Sequence, residues 1–528
     1  MDIPSDTAQS FCATFFGLCP YPDVAPFDLS IPSPVASATC SQPVASSQAP
    51  IQIVHFSDIH VDPFYETGAN SNCTKSICCR PYTSSDAPGN NSNPAGPFGN
   101  TKCDAPVSLE ESMYAAIQQI APQATLSIFT GDIVDHAVWL VTEDQNMIDI
   151  NDAYTRMSGL PRVYGVVGNH EAAPVNSFPP LGLNVTPSEQ WLYDELATDW
   201  SKWIQASADY KVHQFGAYSS KVPDSNLRII SINTNLYYIN NYWLYENTME
   251  ADPSGQLAWV IKELQAAETA GEKVYIIGHM PMGQHDAFHD GSHYFNLIVE
   301  RYSSTISALF FGHTHVDQFE IAYSDYTAQS FSNALAVSYI CPSMTPTSGP
   351  PAFRIFTVDP ITYGILDIDT YIANISDANY QNGPQWIHYY SAKEAYGPVV
   401  SPPLTDPASE LTPAFWHNVT VAMENNDDVF NAYFSRQNRG FHDTPCTADC
   451  KTQEICGIRA ADAQFNCLQP TPGIHFEKRD EGLQRTIGGK IRESICEGTR
   501  IKHIIAAIVG GHGVLEEGLQ RARRKVRI

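Results

Sequence analysis

Short apolar runs rich in β-branched and aromatic residues recur along the chain as far as about residue 311. Such runs predict buried strands, because these side chains fit a pleated surface that is covered on both faces. Each run is followed by glycine or by a short polar block. The runs that predict strands lie at residues 53–56, 126–129, 163–167, 227–233, 274–277 and 308–311.

Two stretches between these runs have apolar residues at helical spacing. The first covers residues 108–121, where Ser108 and Glu111 have the spacing of a capping box and Pro122 ends the pattern. The second covers about residues 254–267. Because strands and helices alternate, the sequence predicts an α/β core.

Polar blocks that carry metal-binding side chains follow five of the apolar runs. They read SDIH at 57–60, GD at 131–132, GNHE at 168–171, GH at 278–279 and GHTH at 312–315. The candidate ligands are Asp58, His60, Asp132, Asn169, His279, His313 and His315. Ligands at the carboxyl ends of strands gather at one edge of an α/β sheet, and this oxygen and imidazole set suits two divalent cations such as zinc, manganese or iron. The pattern predicts a dimetal hydrolase.

The ordered blocks DIH, GDIVDH, GNHE, GHMP and GHTH resemble the motifs of the calcineurin-like metallophosphoesterase superfamily. The sequence around the first motif, HFSDIHVDPFY with CTKSICCR shortly after it, is similar to the acid sphingomyelinase branch and its sphingomyelinase-like phosphodiesterase relatives. The likeness extends over about residues 51–470. It implies an α/β/β/α sandwich with four layers, in which two mixed sheets are flanked by helices.

The resemblance also implies two metal sites that share Asp132. One site is formed by Asp58, His60, Asp132 and His315. The other is formed by Asp132, Asn169, His279 and His313. Two divalent ions, zinc by the family pattern, would lower the pKa of a shared hydroxide for in-line attack on phosphorus and would clamp the phosphoryl oxygens.

The leaving alkoxide needs a proton, and the family pattern assigns this role to His136 and His170. In acidic surroundings both imidazoles would be largely protonated, because an unperturbed histidine has a pKa of about 6.5. The neighbouring Asp135 is either a surface carboxylate or a partner that orients a ligand, and the sequence leaves both possibilities open.

Two cysteine clusters account for eight of the thirteen cysteines. The first lies in an insert rich in Gly, Asn and Pro, and the resemblance pairs Cys73 with Cys78 and Cys79 with Cys103. The second cluster consists of Cys446, Cys450, Cys456 and Cys467. It is either a four-thiolate zinc site or two disulfides, and we favour Cys446 with Cys450 and Cys456 with Cys467 because the paired CxxC spacing of zinc ribbons is absent.

Five glycosylation sequons accompany the cysteine clusters. They begin at Asn72, Asn90, Asn184, Asn374 and Asn418. Sequons and clustered cysteines together favour an oxidising secretory route, to the outside of the cell or to a lysosome-like or vacuole-like compartment. The first residues, MDIPS, show neither a basic region nor an apolar region, so no signal peptide is visible.

The segment before the first motif divides into two parts. Residues 1–25 resemble the last helix of a saposin-like domain, and we expect Cys12 and Cys19 to pair with cysteines upstream of Met1. A short amphipathic anchor is the alternative for this part. Residues 26–50 are rich in Pro and Ser and are predicted to form a linker.

From residue 51 onward, the chain is predicted to contain three parts. Residues 51–366 form the catalytic domain, and residues 367–473 form a helical, disulfide-containing subdomain whose aromatic side chains build its core. Residues 474–528 carry a net charge of +5, against −32 for residues 1–473. This tail is either an unrelated segment from an inaccurate gene model, a tail cleaved after Lys478-Arg479, or a basic helix at a membrane surface. Cys40, Cys341 and Cys496 are candidate free thiols.

The formal net charge of −27 argues against nucleic acid as a partner. We expect a monomer that acts on a phospholipid or a small phosphodiester, with peripheral membrane contact where the substrate is a lipid. Sphingomyelin is the first candidate by resemblance and would give ceramide and phosphocholine. The alternatives are a secreted phosphodiesterase acting on nucleotides or other soluble phosphoesters, and an inactive phosphate- or lipid-binding protein.

Overall fold

Two six-stranded mixed sheets lie at the centre of the protein. The computed structural model describes residues 5–16, 19–33, 46, 48–183, 185–186, 188–206, 209–245, 250–441 and 445–467. The strands are β1 (Ile51–Phe56), β2 (Leu126–Phe129), β3 (Val163–Gly165), β4 (Tyr218–Lys221), β5 (Leu227–Ser231), β6 (Lys273–Ile277), β7 (Ile306–Phe311), β8 (Gln318–Tyr323), β9 (Ala334–Ile340), β10 (Ala352–Val358), β11 (Ile365–Ala373) and β12 (Trp386–Ser391). The first sheet has the order β12-β11-β10-β1-β2-β3 and the second the order β4-β5-β6-β7-β9-β8.

Helices cover the outer faces of both sheets. They are α1 (Asp6–Phe11), α2 (Val107–Ile120), α3 (Glu143–Met157), α4 (Gln190–Trp200), α5 (Asp209–Phe215), α6 (Gln256–Ala270), α7 (His289–Arg301), α8 (Ala392–Tyr396), α9 (Pro413–Asn425), α10 (Asp427–Gln437) and α11 (Asp449–Ile458). Within the described ranges, no helix is long and apolar enough to cross a bilayer.

The inner faces of the two sheets share one hydrophobic core. The ring of Phe310 on β7 lies 5.3 Å from that of His55 on β1 and 5.1 Å from that of Phe356 on β10. Outside the first sheet, Met113 and Ile117 of α2 are fully buried against the strands. Two mixed sheets between helices are the predicted fold class, which the structure confirms.

The parallel strands place the ligand-bearing blocks at one edge of each sheet. Strand β1 pairs in parallel with β2, which pairs in parallel with β3. In the second sheet β5, β6 and β7 are parallel in the same way. Because the blocks follow the carboxyl ends of parallel strands, they meet where the two sheets face each other.

The capping box predicted at the start of α2 is wrong. The helix begins at Val107, and its N-cap residue Pro106 provides no side-chain hydrogen bond. Ser108 lies inside the first turn and donates its hydroxyl to the carbonyl oxygen of Pro97 in the preceding insert. In a capping box the Ser108 hydroxyl would instead accept from a backbone N–H of the helix, so its role is reversed here.

The predicted domain boundary between residues 366 and 367 falls inside β11. This strand alternates buried Leu366 and Ile368 with the half-buried Asp367 and Asp369, as a strand with one face against the core does. Strands β11 and β12 complete the first sheet, so the helical region begins only at Ala392. The prediction missed them because the boundary was placed where the ligand motifs end.

The helical C-terminal region packs on β8 and β9 through aromatic residues. Trp416 of α9 lies 4.5 Å from Phe319, measured between ring centroids, and donates its indole N–H to the hydroxyl of Tyr339 at 3.2 Å. Phe415, Tyr433 and Phe434 are buried as well. These aromatic side chains form core, as predicted.

The N-terminal segment packs on the catalytic region through its own aromatic residues. A disulfide joins Cys12 to Cys19, so the prediction that both pair with upstream cysteines is wrong. The two Cα atoms lie 5.6 Å apart, within the range that a disulfide spans. Phe15 lies 5.4 Å from Tyr245 between ring centroids. Asn184, Cys40, Cys496 and the tail at 474–528 lie outside the described residues.

Several carboxyl groups outside the set of candidate ligands are buried, and burial raises their pKa. Burial raises the pKa of Glu110 to about 7, and that of Glu189 and Glu320 to about 8. A carboxyl whose pKa is raised in the folded state stabilises the fold below its unfolded pKa and loses that contribution as the pH rises. The folded chain should therefore be more stable in acid than at neutral or alkaline pH.

We expect the melting temperature to fall by roughly 5 °C or more between about pH 5 and pH 8, read by circular dichroism. Glu320→Gln should flatten this dependence, because an amide has no proton to lose. Glu66→Gln, at an exposed position, serves as the control and should leave the profile unchanged. A wild-type profile that rises toward pH 8 would contradict the prediction.

Candidate dimetal centre

Seven side chains with metal-binding atoms converge beyond the carboxyl ends of β1, β2, β3, β6 and β7. All seven are buried. Five of them have a positive φ angle, which is uncommon for residues other than glycine: Asp58, His60, Asp132, His313 and His315. Backbone strain of this kind persists where a functional arrangement requires it. The chain thus turns sharply after β1, β2 and β7, where these five residues lie.

Two glycines allow the ligand loops to approach each other. A Cβ atom at Gly168 would lie 2.1 Å from Oδ1 of Asp132, and one at Gly312 would lie 2.6 Å from Oδ2 of Asp58. Neither distance is possible for a side chain. The glycine of each block is therefore required by the close packing of the neighbouring ligand.

The first group of ligand atoms contains two carboxylates and two imidazoles: Asp58, His60, Asp132 and His315. Nε2 of His315 lies 3.1 Å from Nε2 of His60 and 3.4 Å from Oδ1 of Asp58. Nε2 of His60 lies 3.4 Å from Oδ2 of Asp132. The four side chains enclose a point that fits one cation.

The second group shares Asp132 with the first. Oδ2 of Asp132 lies 3.1 Å from Nε2 of His279. Oδ1 of Asn169 lies 2.9 Å from the same nitrogen and 3.1 Å from Nδ1 of His313. One carboxylate oxygen thus faces both groups, as a bridging ligand does.

The far nitrogens of the four ligand imidazoles face oxygen atoms, which fixes the orientation of each ring. The pairs are His60 Nδ1 with Val134 O at 2.8 Å, His279 Nδ1 with Thr130 O at 2.7 Å, His313 Nε2 with Asp286 Oδ2 at 3.1 Å and His315 Nδ1 with Ser348 Oγ at 3.4 Å. A carbonyl oxygen can only accept, so His60 and His279 donate from Nδ1. Their Nε2 atoms then face into the groups, and the donor set fits divalent metal ions.

Asp132 has the electrostatics of an anion held among imidazoles. Burial opposes its charge, but His279 and His170 bring the pKa of the carboxyl well below its usual value. Burial likewise opposes a charge on His279, and Asp132 nevertheless raises the pKa of that imidazole to about 10. The centre therefore stabilises negative charge on its bridging oxygen.

His136 and His170 lie beside the first group of ligands. The ring centroid of His60 is 3.8 Å from that of His136 and 4.8 Å from that of His170. The backbone N–H of His170 donates to Oδ1 of Asp132 at 3.0 Å. Nitrogen atoms of His60, His136 and His170 also come within 4.8 Å of one another. Both histidines predicted to donate protons are therefore next to the centre.

Asp104, which the sequence did not single out, holds His136. Its two carboxylate oxygens accept hydrogen bonds from the backbone N–H and from Nδ1 of His136, each at 2.6 Å. Both residues are fully buried. Asp104 follows Cys103 in an insert of irregular structure, where no periodic pattern marks a functional carboxylate.

Asp135 is a buried anchor, so the interpretation as a surface carboxylate is wrong. Its Oδ2 lies 2.8 Å from Nη2 of Arg80, whose Nε donates to Oδ2 of Asp62 at 2.7 Å. Arg80 belongs to the cysteine-rich insert, whereas the two aspartates belong to ligand loops. The ion pairs fasten the insert to the centre.

The cysteine clusters form disulfides in the pairings that the sequence analysis favoured. The bonds join Cys73 to Cys78, Cys79 to Cys103, Cys446 to Cys450 and Cys456 to Cys467. Cys341 is a buried free thiol. Among the sequons, Asn72, Asn90 and Asn374 are exposed, and Asn418 is partly exposed.

Asp104→Asn should lower kcat roughly tenfold to hundredfold, as substitutions of partners that orient ligating imidazoles do. The amide can still face the backbone N–H of His136, but it holds the ring less firmly. Kinetics should be measured for Asp104→Asn, His136→Ala and the double variant. If Asp104 acts through His136, the Asn substitution changes little in the His136→Ala background. Additive effects would contradict this role.

Two known protein families match this chain, and both agree with the geometry of the candidate metal centre. Residues 51–317 match the family described as calcineurin-like phosphoesterase, and residues 326–471 match the acid sphingomyelin phosphodiesterase C-terminal region. The fold and the centre are those of a metallophosphoesterase.

Similar proteins identify the family within the metallophosphoesterases to which this chain belongs. Sphingomyelin phosphodiesterase B of Dictyostelium discoideum is 33% identical over 87% of this chain and 71% of its own length. Sphingomyelin phosphodiesterase of Homo sapiens is 35% identical over 79% of this chain and 64% of its own length. Acid sphingomyelinase-like phosphodiesterase 3b of Homo sapiens is 28% identical over 78% of this chain and 89% of its own length. The chain belongs to the acid sphingomyelinase family.

Proposed function

We propose that the protein is a zinc-dependent sphingomyelin phosphodiesterase that releases ceramide and phosphocholine. The observation that carries this proposal is the convergence of seven buried ligands with two further histidines at one centre. Relatives named sphingomyelin phosphodiesterase, matched over most of this chain, support the choice of substrate.

The ligand groups described above would each hold one ion, with Asp132 between them. When bound, two zinc ions would activate a water molecule and neutralise the oxygens of the phosphodiester. The chain's own part is to fix the positions of the ions. The backbone turns at the strand ends and the oxygen partners of the imidazoles provide that rigidity.

The proton for the leaving oxygen would come from His136 or His170. Asp104 accepts from Nδ1 of His136, so a proton given up by that ring would come from Nε2. His170 is held by its backbone at Asp132. A proton delivered to the ceramide oxygen as its bond to phosphorus breaks removes the need to expel a free alkoxide.

Five disulfides among the described residues support residence in an oxidising compartment, either outside the cell or in a lysosome-like organelle. The exposed sequons Asn72, Asn90 and Asn374 would be accessible to glycosylation there. The raised pKa of buried carboxyls such as Glu320 supports stability at acidic pH.

A soluble phosphoester, such as a nucleotide, is the second candidate substrate. The chain covers 89% of the sphingomyelinase-like phosphodiesterase 3b, a larger share than it covers of the human sphingomyelin phosphodiesterase. The dimetal centre itself recognises a phosphoryl group and does not choose between leaving groups.

Turnover should be compared on sphingomyelin vesicles and on nucleoside phosphates, with the full chain, before and after chelation and with zinc restored. Release of phosphocholine that is lost on chelation and regained with zinc is the expected result. Zinc-dependent hydrolysis of nucleotides alone would assign the second substrate class. Bound metal without turnover of either class would leave the chain as a binding protein.

A further inference from the structure

A group of apolar side chains lies on the surface beside the centre. We call Phe64, Tyr82, Trp139 and Leu140 the rim patch. Phe64 and Leu140 are each 52% exposed, and Tyr82 and Trp139 are partly exposed. The rings of Tyr82 and Trp139 lie 6.3 Å apart, and the guanidinium of Arg80 lies 5.1 Å from the ring of Phe64. Two loops and the insert thus present large apolar groups to solvent at one place.

Phe64 and Trp139 of the rim patch lie on the loops that carry His60 and His136. Phe64 follows the block containing His60, and Trp139 follows His136 closely in sequence. The two loops are joined at Val61, which forms bridges with Val134 and with Ala105. The apolar surface is therefore carried by the same loops as His60 and His136.

The rim patch is held rigidly. Disulfides close the insert on both sides of Arg80, between Cys73 and Cys78 and between Cys79 and Cys103. Arg80 itself is buried and pairs with Asp62 and Asp135. Apolar groups on a rigid support lose little conformational freedom when they meet a partner.

We propose that the rim patch docks the protein on a zwitterionic lipid surface, with Phe64 and Leu140 inserting between headgroups. The inference rests on the proposed function, since it explains how the metal centre reaches the phosphodiester of a lipid within a membrane. Aromatic side chains with polar ends, such as Tyr82 and Trp139, favour the boundary between water and lipid. The net charge of −27 disfavours an anionic surface, whereas phosphocholine headgroups carry no net charge.

The test uses the full chain and the double variant Phe64→Ser/Leu140→Ser. Binding to vesicles of phosphatidylcholine alone, measured by sedimentation, separates docking from turnover of sphingomyelin. We expect binding at least about tenfold weaker in the double variant, because two large apolar groups no longer enter the lipid. Hydrolysis of soluble bis(p-nitrophenyl) phosphate should be unchanged.

Phe331→Ser/Ile361→Ser is the matched control. Phe331 is 61% exposed and Ile361 is 53% exposed, so the same kinds of side chain are removed from similar exposure. Ile361 follows β10, which runs antiparallel to β1, and so lies at the end of the sheet away from the centre. This control should bind vesicles as the wild type does.

Equal vesicle binding by the wild type and the Phe64→Ser/Leu140→Ser variant would overturn the proposal. Should that variant fail to fold, Leu140→Ser alone is measured, together with quenching of Trp139 fluorescence by brominated lipids and its loss in Trp139→Phe. Absence of quenching also overturns the proposal. Self-association that the double variant abolishes, with vesicle binding unchanged, would assign the rim patch to a second copy of the chain.

The two proposals fail in different ways. If phosphatidylcholine binding depends on the rim patch but sphingomyelin is not hydrolysed, docking stands and the proposed function falls. If sphingomyelin vesicles are hydrolysed equally by the wild type and the double variant, the function stands and docking falls.

Discussion

Asp132→Asn should lower phosphodiester turnover by about 10³-fold or more and should remove bound metal from both sites. Oδ2 of Asp132 lies 3.1 Å from Nε2 of His279 and 3.4 Å from Nε2 of His60, so the same oxygen belongs to both ligand groups. The amide removes the negative charge that would hold two cations close together. A loss of several kcal/mol of charge stabilisation corresponds to an effect of this size.

The measurement is metal content by mass spectrometry alongside kcat on a soluble diester. Asp199→Asn is the matched control, since Asp199 is a buried aspartate on α4 whose pKa burial raises to about 6. This control should retain both metal and turnover, because the residue lies outside the centre. An Asp132→Asn protein with two ions per chain and normal kcat would show that the carboxylate does not bridge.

The convergence of the candidate ligands was predictable because each of these residues follows an apolar run that forms a strand. Glycine before Asp132, before Asn169 and before His313 marks the places where loops must approach closely, and the structure uses Gly168 and Gly312 in this way. Parallel pairing of the strands then brings distant blocks together. The motifs at the strand ends and the parallel pairing of the strands were sufficient to predict that these residues meet.

Contacts made by irregular segments were not predictable. Asp104 and Arg80 lie in the cysteine-rich insert, where no periodicity relates sequence to position. Asp286, which faces Nε2 of His313, follows the ligand His279 at a distance that no motif fixes. Strand β4 and strands β8 to β12 fall outside the apolar runs from which strands were predicted. Such residues are found only when the folded chain shows which loops touch.

His170→Ala should leave metal content intact and lower kcat by about 10²- to 10⁴-fold, the usual contribution of a positioned proton donor. The side chain is buried beside His60 and His136, and the backbone holds it at Asp132. The loss should depend on the leaving group. Ceramide leaves as an alkoxide that needs a proton, whereas p-nitrophenolate leaves without one, so the variant should lose less activity on bis(p-nitrophenyl) phosphate.

His417→Ala is the control for removing a buried imidazole, because His417 lies on α9 and its Nδ1 is 2.9 Å from the hydroxyl of Tyr323. It should keep both metal and turnover. The three imidazoles of His60, His136 and His170 are close enough to hold an ion themselves. If His170→Ala loses metal, the residue is a ligand. If it loses activity equally on both substrates with its metal retained, it positions the centre without donating the proton.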